Sequence, residues 1–371
     1  MKNKIFFNIF MLIWIFLIIL NFIVPKQDFS EQENRYLARI PKFNFEDLID
    51  GSYVEKLDNY INDHFIFRKF WLKLNSFVQI ATGKTENNDV YIGKDGYLFE
   101  KFNYTETDKR NLENAVKVIN NFANKTNIPT YFLLVPNSIY INKDKLPNNV
   151  EIYDQGSIIN SAYNKCNSNV KKVNVLNTLK SNKNLDLYFK TDHHITSLGA
   201  YLLYKEFCDS ANIKCLPLSE YKKEVVSTEF LGTFDSKAQV LNQKADEIIV
   251  YKNQINQNVK GNYDGKIYDS LFNEEYLQKK DKYSYFLNGN NAQAIIKTQL
   301  DNNKKLLVIK DSYAHILSQF ICQNYEEIHF IDPRYYNLPL SKYIENNEIT
   351  ETLFLYNLSN LLIDTGIRGV R

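Results

Sequence analysis

The residues of this sequence best suited to chemistry are Asp192, His194 and Ser312. A serine hydroxyl is a weak nucleophile at neutral pH and needs an adjacent base. In an extended segment residues two apart share a face, so the Asp192 carboxylate is expected to hold one imidazole nitrogen of His194. The other nitrogen is then free for Ser312, and His193 is expected to point the opposite way. The pattern predicts a nucleophile, base and orienting acid of the kind that transfers acyl groups.

Two other roles compete with this interpretation. Asp311 or Ser312 would serve equally well as the cap of the helix that follows. A triplet such as Asp192-His193-His194 also occurs in manganese phosphoesterases, whose sites need several further Asp-rich strand ends. No such strand end precedes this triplet, so the sequence predicts no metal site and no cofactor.

Ser312 lies where a buried strand is predicted to give way to a helix. The apolar residues 306–309 predict the strand, 310–312 a turn, 313 to about 323 a helix, and 328–331 the next strand. Open α/β sheets bind ligands just outside the carboxyl ends of their strands. The N–H groups of Ser312 and Tyr313, at the helix start, are expected to face an anionic oxygen there.

The rest of the sequence repeats this alternation of strands and helices. An aromatic strand end at 187–189 precedes the Asp-His-His triplet, and Thr196 or Ser197 is placed to cap a helix ending near Asn212. The glycine of Lys94-Asp95-Gly96 suits the tight turn of a hairpin over 90–100. The pattern predicts an α/β fold: a parallel sheet with helices on both faces. Two further elements complete the prediction, a helix over 107–124 and a strand over 131–135.

An N-terminal apolar segment, residues 5–24, is about as long as a bilayer is thick. It is too long for a typical signal-peptide core, and no small-residue cleavage site follows it. Lys2, Lys4 and the N-terminal amine precede it, whereas the flank after it mixes both charges. The positive-inside rule therefore predicts a single-pass anchor with a cytoplasmic N-terminus and an extracytoplasmic remainder.

Three regions follow from these patterns. Residues 1–25 are the membrane anchor, and 26–85 a polar neck with an amphipathic helical region over 44–82. Residues 86–371 form the α/β domain, in which 216–300 are predicted to be an insertion of short strands and loops.

The composition excludes some classes of protein. Forty-five basic and 43 acidic side chains give a formal net charge of +2, without the basic stripe that nucleic-acid binding requires. The four cysteines show no spacing typical of a zinc site. Cys208 and Cys215 are near enough in sequence to bridge, but free thiols are expected.

Several segments together resemble the DHHW family. Residues 191–201, TDHHITSLGAY, are similar to its signature, and KDSYAHIL with IDPRYY, from 310 to 336, is similar to its nucleophile block. ENRYLARIPKF, DHFIFR, VYIGKDGYLF, VPNSIYI and DKYSYFLNGN follow the family order, so the resemblance covers nearly the whole chain after the anchor. The family is similar to alginate O-acetyltransferases of the AlgX and AlgJ type, which carry an SGNH hydrolase-like domain with the Asp-x-His ahead of the serine.

The resemblance implies Ser312 as nucleophile, His194 as general base and Asp192 as the residue orienting it. The family's tryptophan is absent, because Ile195 stands in its place. The SGNH oxyanion hole uses donors beyond the serine N–H, and Asn137 ends the first predicted strand at a suitable place. Arg334 and Tyr335 end the strand beside the nucleophile's strand and are expected either to contact sugar or to serve packing.

The function implied is O-acetylation of a cell-surface or secreted polysaccharide through an acetyl-serine intermediate. The implied partners are the polysaccharide acceptor and a multi-pass membrane O-acyltransferase that supplies acetyl. A carbohydrate acetyl esterase would use the same triad with water as acceptor, and a non-catalytic polysaccharide-binding scaffold of an export complex remains a third possibility.

Overall fold

The computed structural model describes residues 2–30, 33 and 35–370. Of the residues used in the predictions above, the side chain of Lys2 and the N-terminal amine of Met1 lie outside this description. So do Glu31 and Asn34 of the predicted neck. In chain order the α-helices are α1 (Lys2–Ile23), α2 (Phe45–Ile49), α3 (Ser52–His64), α4 (Arg68–Ala81), α5 (Glu106–Thr126), α6 (Ser138–Ile141), α7 (Gln155–Asn164), α8 (Leu176–Ser181), α9 (Ser197–Ala211), α10 (Thr233–Ala238), α11 (Gln254–Gln257), α12 (Tyr313–Ile321), α13 (Leu340–Asn347) and α14 (Leu358–Ile363).

The strands form one large sheet and three small ones. In chain order they are β1 (Phe29–Ser30), β2 (Arg35–Tyr36), β3 (Glu86–Asn87), β4 (Val90–Ile92), β5 (Leu98–Glu100), β6 (Thr130–Val135), β7 (Val170–Val173), β8 (Lys222–Phe230), β9 (Asp246–Lys252), β10 (Lys260–Tyr263), β11 (Lys266–Tyr268), β12 (Gln293–Lys297), β13 (Lys305–Lys310), β14 (Glu327–Ile331) and β15 (Glu351–Asn357).

The central sheet has eight strands in the order β11-β10-β12-β14-β13-β15-β6-β7. The five from β14 to β7 run parallel, whereas β10, β11 and β12 add an antiparallel edge. The register pairs Ile309 with both Ile331 and Phe354, so β13, β14 and β15 end at the same edge of the sheet. The predicted α/β fold, with an apolar helix ahead of it, is confirmed.

Helices cover both faces of this sheet, because its central strands are apolar on both sides. One face packs against α9 and α12, for example through Phe207 and Phe320. The other packs against α5 and α14 through Phe122 and Leu361. Residues 306–309 of β13 are completely buried between the two layers, which fixes the position of the residues that follow.

The local structure differs from the prediction in two segments. Residues 44–82 form three helices rather than one, because the chain turns through left-handed conformations at Gly51 (φ 83°) and Phe67 (φ 56°). Residues 187–189 do not form a strand, and Tyr188 makes only an isolated bridge to Ile195. Within 216–300, β8 and β9 form a separate antiparallel ribbon, whereas β10 to β12 extend the central sheet.

Candidate active site

His194 is hydrogen-bonded to both of its predicted partners. Its Nδ1 lies 2.6 Å from Asp192 Oδ1, and its Nε2 lies 2.8 Å from Ser312 Oγ. Ser312 immediately follows β13 and Asp311, and forms the N-cap of α12. The structure therefore brings the three predicted residues together at the carboxyl edge of the sheet, in the relative order that proton transfer from serine to histidine requires.

The segment that carries Asp192 and His194 is a tight turn and is not extended as predicted. Asp192 Oδ1 accepts a hydrogen bond from the backbone N–H of His194 at 3.0 Å, which folds the turn on itself. Phe189 N–H then donates to the His194 carbonyl at 3.1 Å. The predicted opposite orientation of His193 is wrong for the same reason: the rings of His193 and His194 lie 3.8 Å apart, and His193 Nδ1 lies 3.4 Å from Asp192 Oδ1.

The start of α10 holds the second carboxylate oxygen of Asp192. Thr233 N–H donates to Asp192 Oδ2 at 2.7 Å. This approach is possible because the residue before it is Gly232, where a Cβ atom would lie 2.3 Å from Asp192 Cβ. The neighbouring Thr191 is held by Asp246, whose Oδ2 accepts its hydroxyl at 2.6 Å and its N–H at 2.8 Å. None of these residues was predicted to belong to the site, although a glycine next to helix-starting Thr233 is a visible signal for close approach.

Tyr283 covers the imidazole of His194. Its ring stacks on that of His194 with centroids 3.6 Å apart and planes 9° apart, and its hydroxyl donates to the Ser312 carbonyl at 3.0 Å. Tyr283 is buried. In the sequence, DKYSYFLNGN stands out only as part of a family pattern, because nothing local indicates that a tyrosine 89 residues after His194 packs against it.

Burial governs the electrostatics of the pair. Burial, and to a smaller extent the adjacent His193, lower the pKa of His194 to about 4, because Asp192 opposes them only in part. Burial alone would raise the pKa of Asp192, but the adjacent imidazoles and the hydrogen bonds from His194 and Thr233 outweigh it and hold that pKa far below its ordinary range. His194 is therefore neutral and Asp192 ionised at neutral pH, which is the state of a general base.

The predicted oxyanion donors differ in availability. The N–H of Tyr313 does not face an open site as expected, because it donates to Asp311 Oδ1 at 2.8 Å. The Tyr313 hydroxyl is also used, donating to the His193 carbonyl, so this buried side chain positions the histidine turn. The N–H of Ser312 has no acceptor among the residues that the structure describes. Ser312 is thus the backbone donor that stays available.

Asp311 explains why the serine turn keeps its shape. Its Oδ2 accepts the N–H of Asn357 and the side-chain amide of Asn360, both at 2.8 Å, while its Oδ1 accepts Tyr313 N–H. Asn137 belongs to the same network, donating from Nδ2 to Asn357 Oδ1 at 3.2 Å. Asn137 therefore lies at the end of β6, two strands from β13, with its amide partly committed to β15.

Arg334 and Tyr335 follow β14 on the other side of β13. The Arg334 guanidinium binds both carboxylate oxygens of Asp332, at 2.8 and 2.6 Å, and lies 5.4 Å from the ring of Tyr335. Tyr335 is half exposed. A cavity of about 400 Å³ opens here, lined by Asp311, Arg334 and Asn337 among others.

A second cluster of buried polar side chains surrounds Lys310, two residues before Ser312 in the chain. Lys310 Nζ lies 2.8 Å from His315 Nε2 and 3.4 Å from Asp332 Oδ2. Burial lowers the pKa of Lys310 and that of His315. These residues were not among those predicted for the site.

The Asp-His-His turn also presents three possible metal ligands. One ligand atom from each of Asp192, His193 and His194 lies within 4.8 Å of the others. Both ring nitrogens of His194 are engaged, however, with Asp192 and Ser312. A metal ion on His194 would have to displace one of these hydrogen bonds.

The fold is that of known α/β proteins from bacteria. A DHHW family protein from Eubacterium siraeum, solved as a crystal structure, is 25% identical over 77% of this chain and 96% of its own, with a TM-score of 0.68. PatB1 from Bacillus cereus, solved with a sulfonyl adduct, is 21% identical over 77% of this chain and all of its own, with a TM-score of 0.63. No curated protein is significantly similar to the chain in sequence.

The sequence itself gives the family. Residues 76–331 match the profile described as "DHHW protein". The chain belongs to the DHHW family.

Proposed function

We propose that the chain is an extracytoplasmic O-acetyltransferase that acts on a cell-surface or secreted polysaccharide through Ser312. The observation that carries the proposal is the unbroken hydrogen-bonded path from Asp192 through His194 to Ser312, with distances of 2.6 and 2.8 Å. Membership of the DHHW family agrees with it, through the resemblance to alginate O-acetyltransferases described above.

The first half of the reaction acylates Ser312. Its Oγ attacks the acetyl carbonyl of the donor while its proton passes to His194 Nε2. The carbonyl oxygen becomes an oxyanion, for which the available N–H of Ser312 is a donor. The bond to the donor then breaks, the departing group takes the proton from His194, and Ser312 carries an acetyl ester.

The second half transfers the acetyl group to a sugar hydroxyl. That hydroxyl gives its proton to His194 and attacks the ester, and Ser312 leaves as the alkoxide that recovers the proton. Arg334 and Tyr335, beside the 400 Å³ cavity next to Asp311, are proposed to contact the sugar, and Asn137 is proposed as a second oxyanion donor. Water in place of the sugar would make the same residues an esterase.

The proposed location follows from α1. The segment Lys4–Ile23 is long and apolar enough to span a membrane, and no residue of its most apolar part is buried against the rest of the chain. With the N-terminus in the cytoplasm, the domain faces outward, where no cytosolic acetyl donor is present. We therefore propose that a multi-pass membrane O-acyltransferase supplies the acetyl group.

Covalent labelling tests the nucleophile. Purified full-length protein is treated briefly with an activated acetyl ester, or with a sulfonyl fluoride, and the modified peptide is found by mass spectrometry. The adduct is expected on Ser312 and should vanish in Ser312→Ala, while Ser161→Ala, which removes an exposed serine of α7, keeps it. An adduct elsewhere refutes the proposed nucleophile.

The acceptor is tested separately. With an activated acetyl ester as donor, addition of an oligosaccharide should convert part of the released acetate into acetylated sugar. Acetate alone at every oligosaccharide concentration would support the esterase, and no turnover by wild-type protein would support a binding scaffold.

A further inference from the structure

Helix α4 leaves an apolar stripe uncovered. Five large apolar side chains recur at the spacing of one helical face, and each is between 37% and 58% exposed. They are Phe70, Trp71, Leu74, Phe77 and Val78. Contiguous exposed apolar surface of this kind marks a site of interaction on a water-soluble domain.

The stripe does not result from a loosely attached helix. On the opposite side of α4, Ser76 is completely buried and its hydroxyl donates to the Ala238 carbonyl at the end of α10, at 3.0 Å. The indole N–H of Trp71 donates to the Ile66 carbonyl at 3.0 Å. Both contacts fix the rotation of α4 about its axis, so the apolar stripe has to face outward.

The two helices before α4 also carry exposed apolar side chains. We call α2, α3 and α4 together the platform. It carries further large apolar side chains with more than two fifths of their surface exposed, namely Phe45, Ile49, Val54 and Ile61, and Phe67 at the turn into α4.

The junction of α3 and α4 in the platform lies beside the end of the proposed membrane anchor. Lys26 Nζ donates to the Asn21 carbonyl at 2.6 Å and to the carbonyl of His64, the last residue of α3, at 3.2 Å. A cavity of about 550 Å³ between α1 and the platform is lined by Leu20, Val24, Phe67 and others. The first residues of α4 thus lie beside the last residues of the anchor.

A cluster of ion pairs holds this junction. Asp63 Oδ1 lies 2.6 Å from Arg35 Nη2. The guanidinium of Arg68 lies 3.4 Å from Asp63 and 3.2 Å from Glu33. The hydrogen bond from Arg35 is the largest cause that lowers the pKa of Asp63 to about 2, so the pair of Asp63 with Arg35 persists at physiological pH. The neck is therefore fixed to the platform rather than free to separate it from the anchor.

We propose that the platform lies in the headgroup layer of the phospholipid bilayer, with the α4 stripe inserted at the acyl boundary. The proposal rests on α1 being a membrane anchor. Trp and Phe favour this layer, and Lys69 of α4 is an exposed cation that suits anionic headgroups. The adjoining anchor brings lipid to the stripe without any further partner.

The chain offers a direct test, because Trp14 in α1 and Trp71 in α4 are its two tryptophans. Full-length Trp14→Phe and Trp71→Phe proteins each keep one reporter. They are reconstituted into phosphatidylcholine and phosphatidylglycerol vesicles that contain lipids brominated either near the headgroup or near the bilayer centre. Quenching by bromine reports the depth of each tryptophan, and iodide reports access from water.

Trp71, in Trp14→Phe, is expected to be quenched by the shallow bromines and protected from iodide. Quenching by iodide with no bromine effect overturns the proposal, since the stripe then faces water. Quenching by neither also overturns it, since a protein partner or a second copy then covers the stripe. Trp14, in Trp71→Phe, reports the anchor separately through the deep bromines, and no reading depends on Ser312 chemistry.

Paired substitutions separate insertion from simple proximity to lipid. In the Trp14→Phe background, Phe77→Ser with Val78→Ser should reduce the shallow-bromine quenching of Trp71 by about twofold, because the inserted apolar area falls. Val225→Ser, an exposed apolar residue of β8, is the matched control and should leave it unchanged. Equal quenching in both variants contradicts an inserted stripe.

Discussion

Tyr283 stacks face to face on His194, with ring centroids 3.6 Å apart, and donates its hydroxyl to the carbonyl of the serine that His194 binds. One side chain thus contacts both the proposed base and the backbone of the proposed nucleophile. The stack keeps water from one face of the imidazole, and loss of water is the largest cause of the low pKa of His194. Tyr283 is a positioning residue in this arrangement.

Two substitutions at Tyr283 separate the effect of the ring stack from that of the hydrogen bond. Tyr283→Phe keeps the stack and loses the hydrogen bond to Ser312, so we expect kcat to fall roughly fivefold, the equivalent of about 1 kcal/mol. Tyr283→Leu also removes the stack, so we expect a larger fall and a rise in the pH at which kcat/KM is half-maximal. The pH profiles of the acetyl esterase reaction provide the measurement. An unshifted profile in Tyr283→Leu would show that the stack does not set the pKa of His194.

The adjacent histidines should differ strongly in effect. His194→Gln removes the group bonded to Ser312, and we expect activity to fall on the order of a thousandfold or more. His193→Gln leaves the 2.6 and 2.8 Å hydrogen bonds of His194 in place, so we expect less than about a tenfold loss. Rates of activated-ester hydrolysis, with melting temperatures to exclude unfolding, make the comparison. Metal analysis of both proteins checks the alternative, since loss of a bound divalent ion with either change would favour a metal site.

The low pKa of His194, the proposed general base, is expected to set the acid limit of activity. Only the neutral imidazole accepts the serine proton, and burial keeps it neutral down to a pKa of about 4. We therefore expect kcat/KM to be nearly constant from neutral pH to about pH 5 and to fall below that. An unburied histidine would lose activity near its ordinary value of about 6.5. Initial rates measured in overlapping buffers distinguish a pKa of about 4 from one of about 6.5. A fall of kcat/KM near pH 6.5 would contradict the burial argument.

Gly232→Ala should displace the orienting carboxylate. Its Cβ would lie 2.3 Å from Asp192 Cβ and 2.4 Å from Oδ2, far inside van der Waals contact, so Asp192 or α10 has to move. The backbone of Gly232 has φ −84°, which alanine adopts without strain, so the effect is steric. We expect a loss of activity larger than any loss of thermal stability. Gly369→Ala, whose Cβ meets nothing within 4 Å, is the control, and equal activity of the two variants would show that Asp192 tolerates the shift.

The sequence was sufficient for the parts of the site that depend on local pattern. The apolar run 306–309 indicated a buried strand, and a parallel strand followed by a helix places Ser312 at the edge of the sheet. The Asp-x-His spacing brought Asp192 and His194 to the same site, although the assumed extended backbone was wrong. A side-chain carboxylate that bonds its own backbone competes with extended structure, and this turn also reversed the expected direction of His193.

The remaining residues depend on contacts between distant segments. Tyr283 and Gly232 reach the site from the region between α9 and β13, where little periodicity is present, and no local rule relates them to His194. Tyr313 was expected to donate its N–H to an oxyanion, but Asp311 competes for that donor from two residues away. The sequence shows that the Asp311 carboxylate can cap the helix beside Ser312. The direction in which this carboxylate points depends on β15, because Asn357 at its end donates its N–H to Asp311 Oδ2.

Helix α10 has a hydrogen bond to the orienting carboxylate at its first residue and a hydrogen bond to α4 at its last. Its six residues rise about 9 Å. If the platform lies in the headgroup layer as proposed, α10 holds the candidate active site at a fixed height above the bilayer. A flexible linker would not fix that height. On the proposed function, only the part of a polysaccharide that lies at that height would be acetylated.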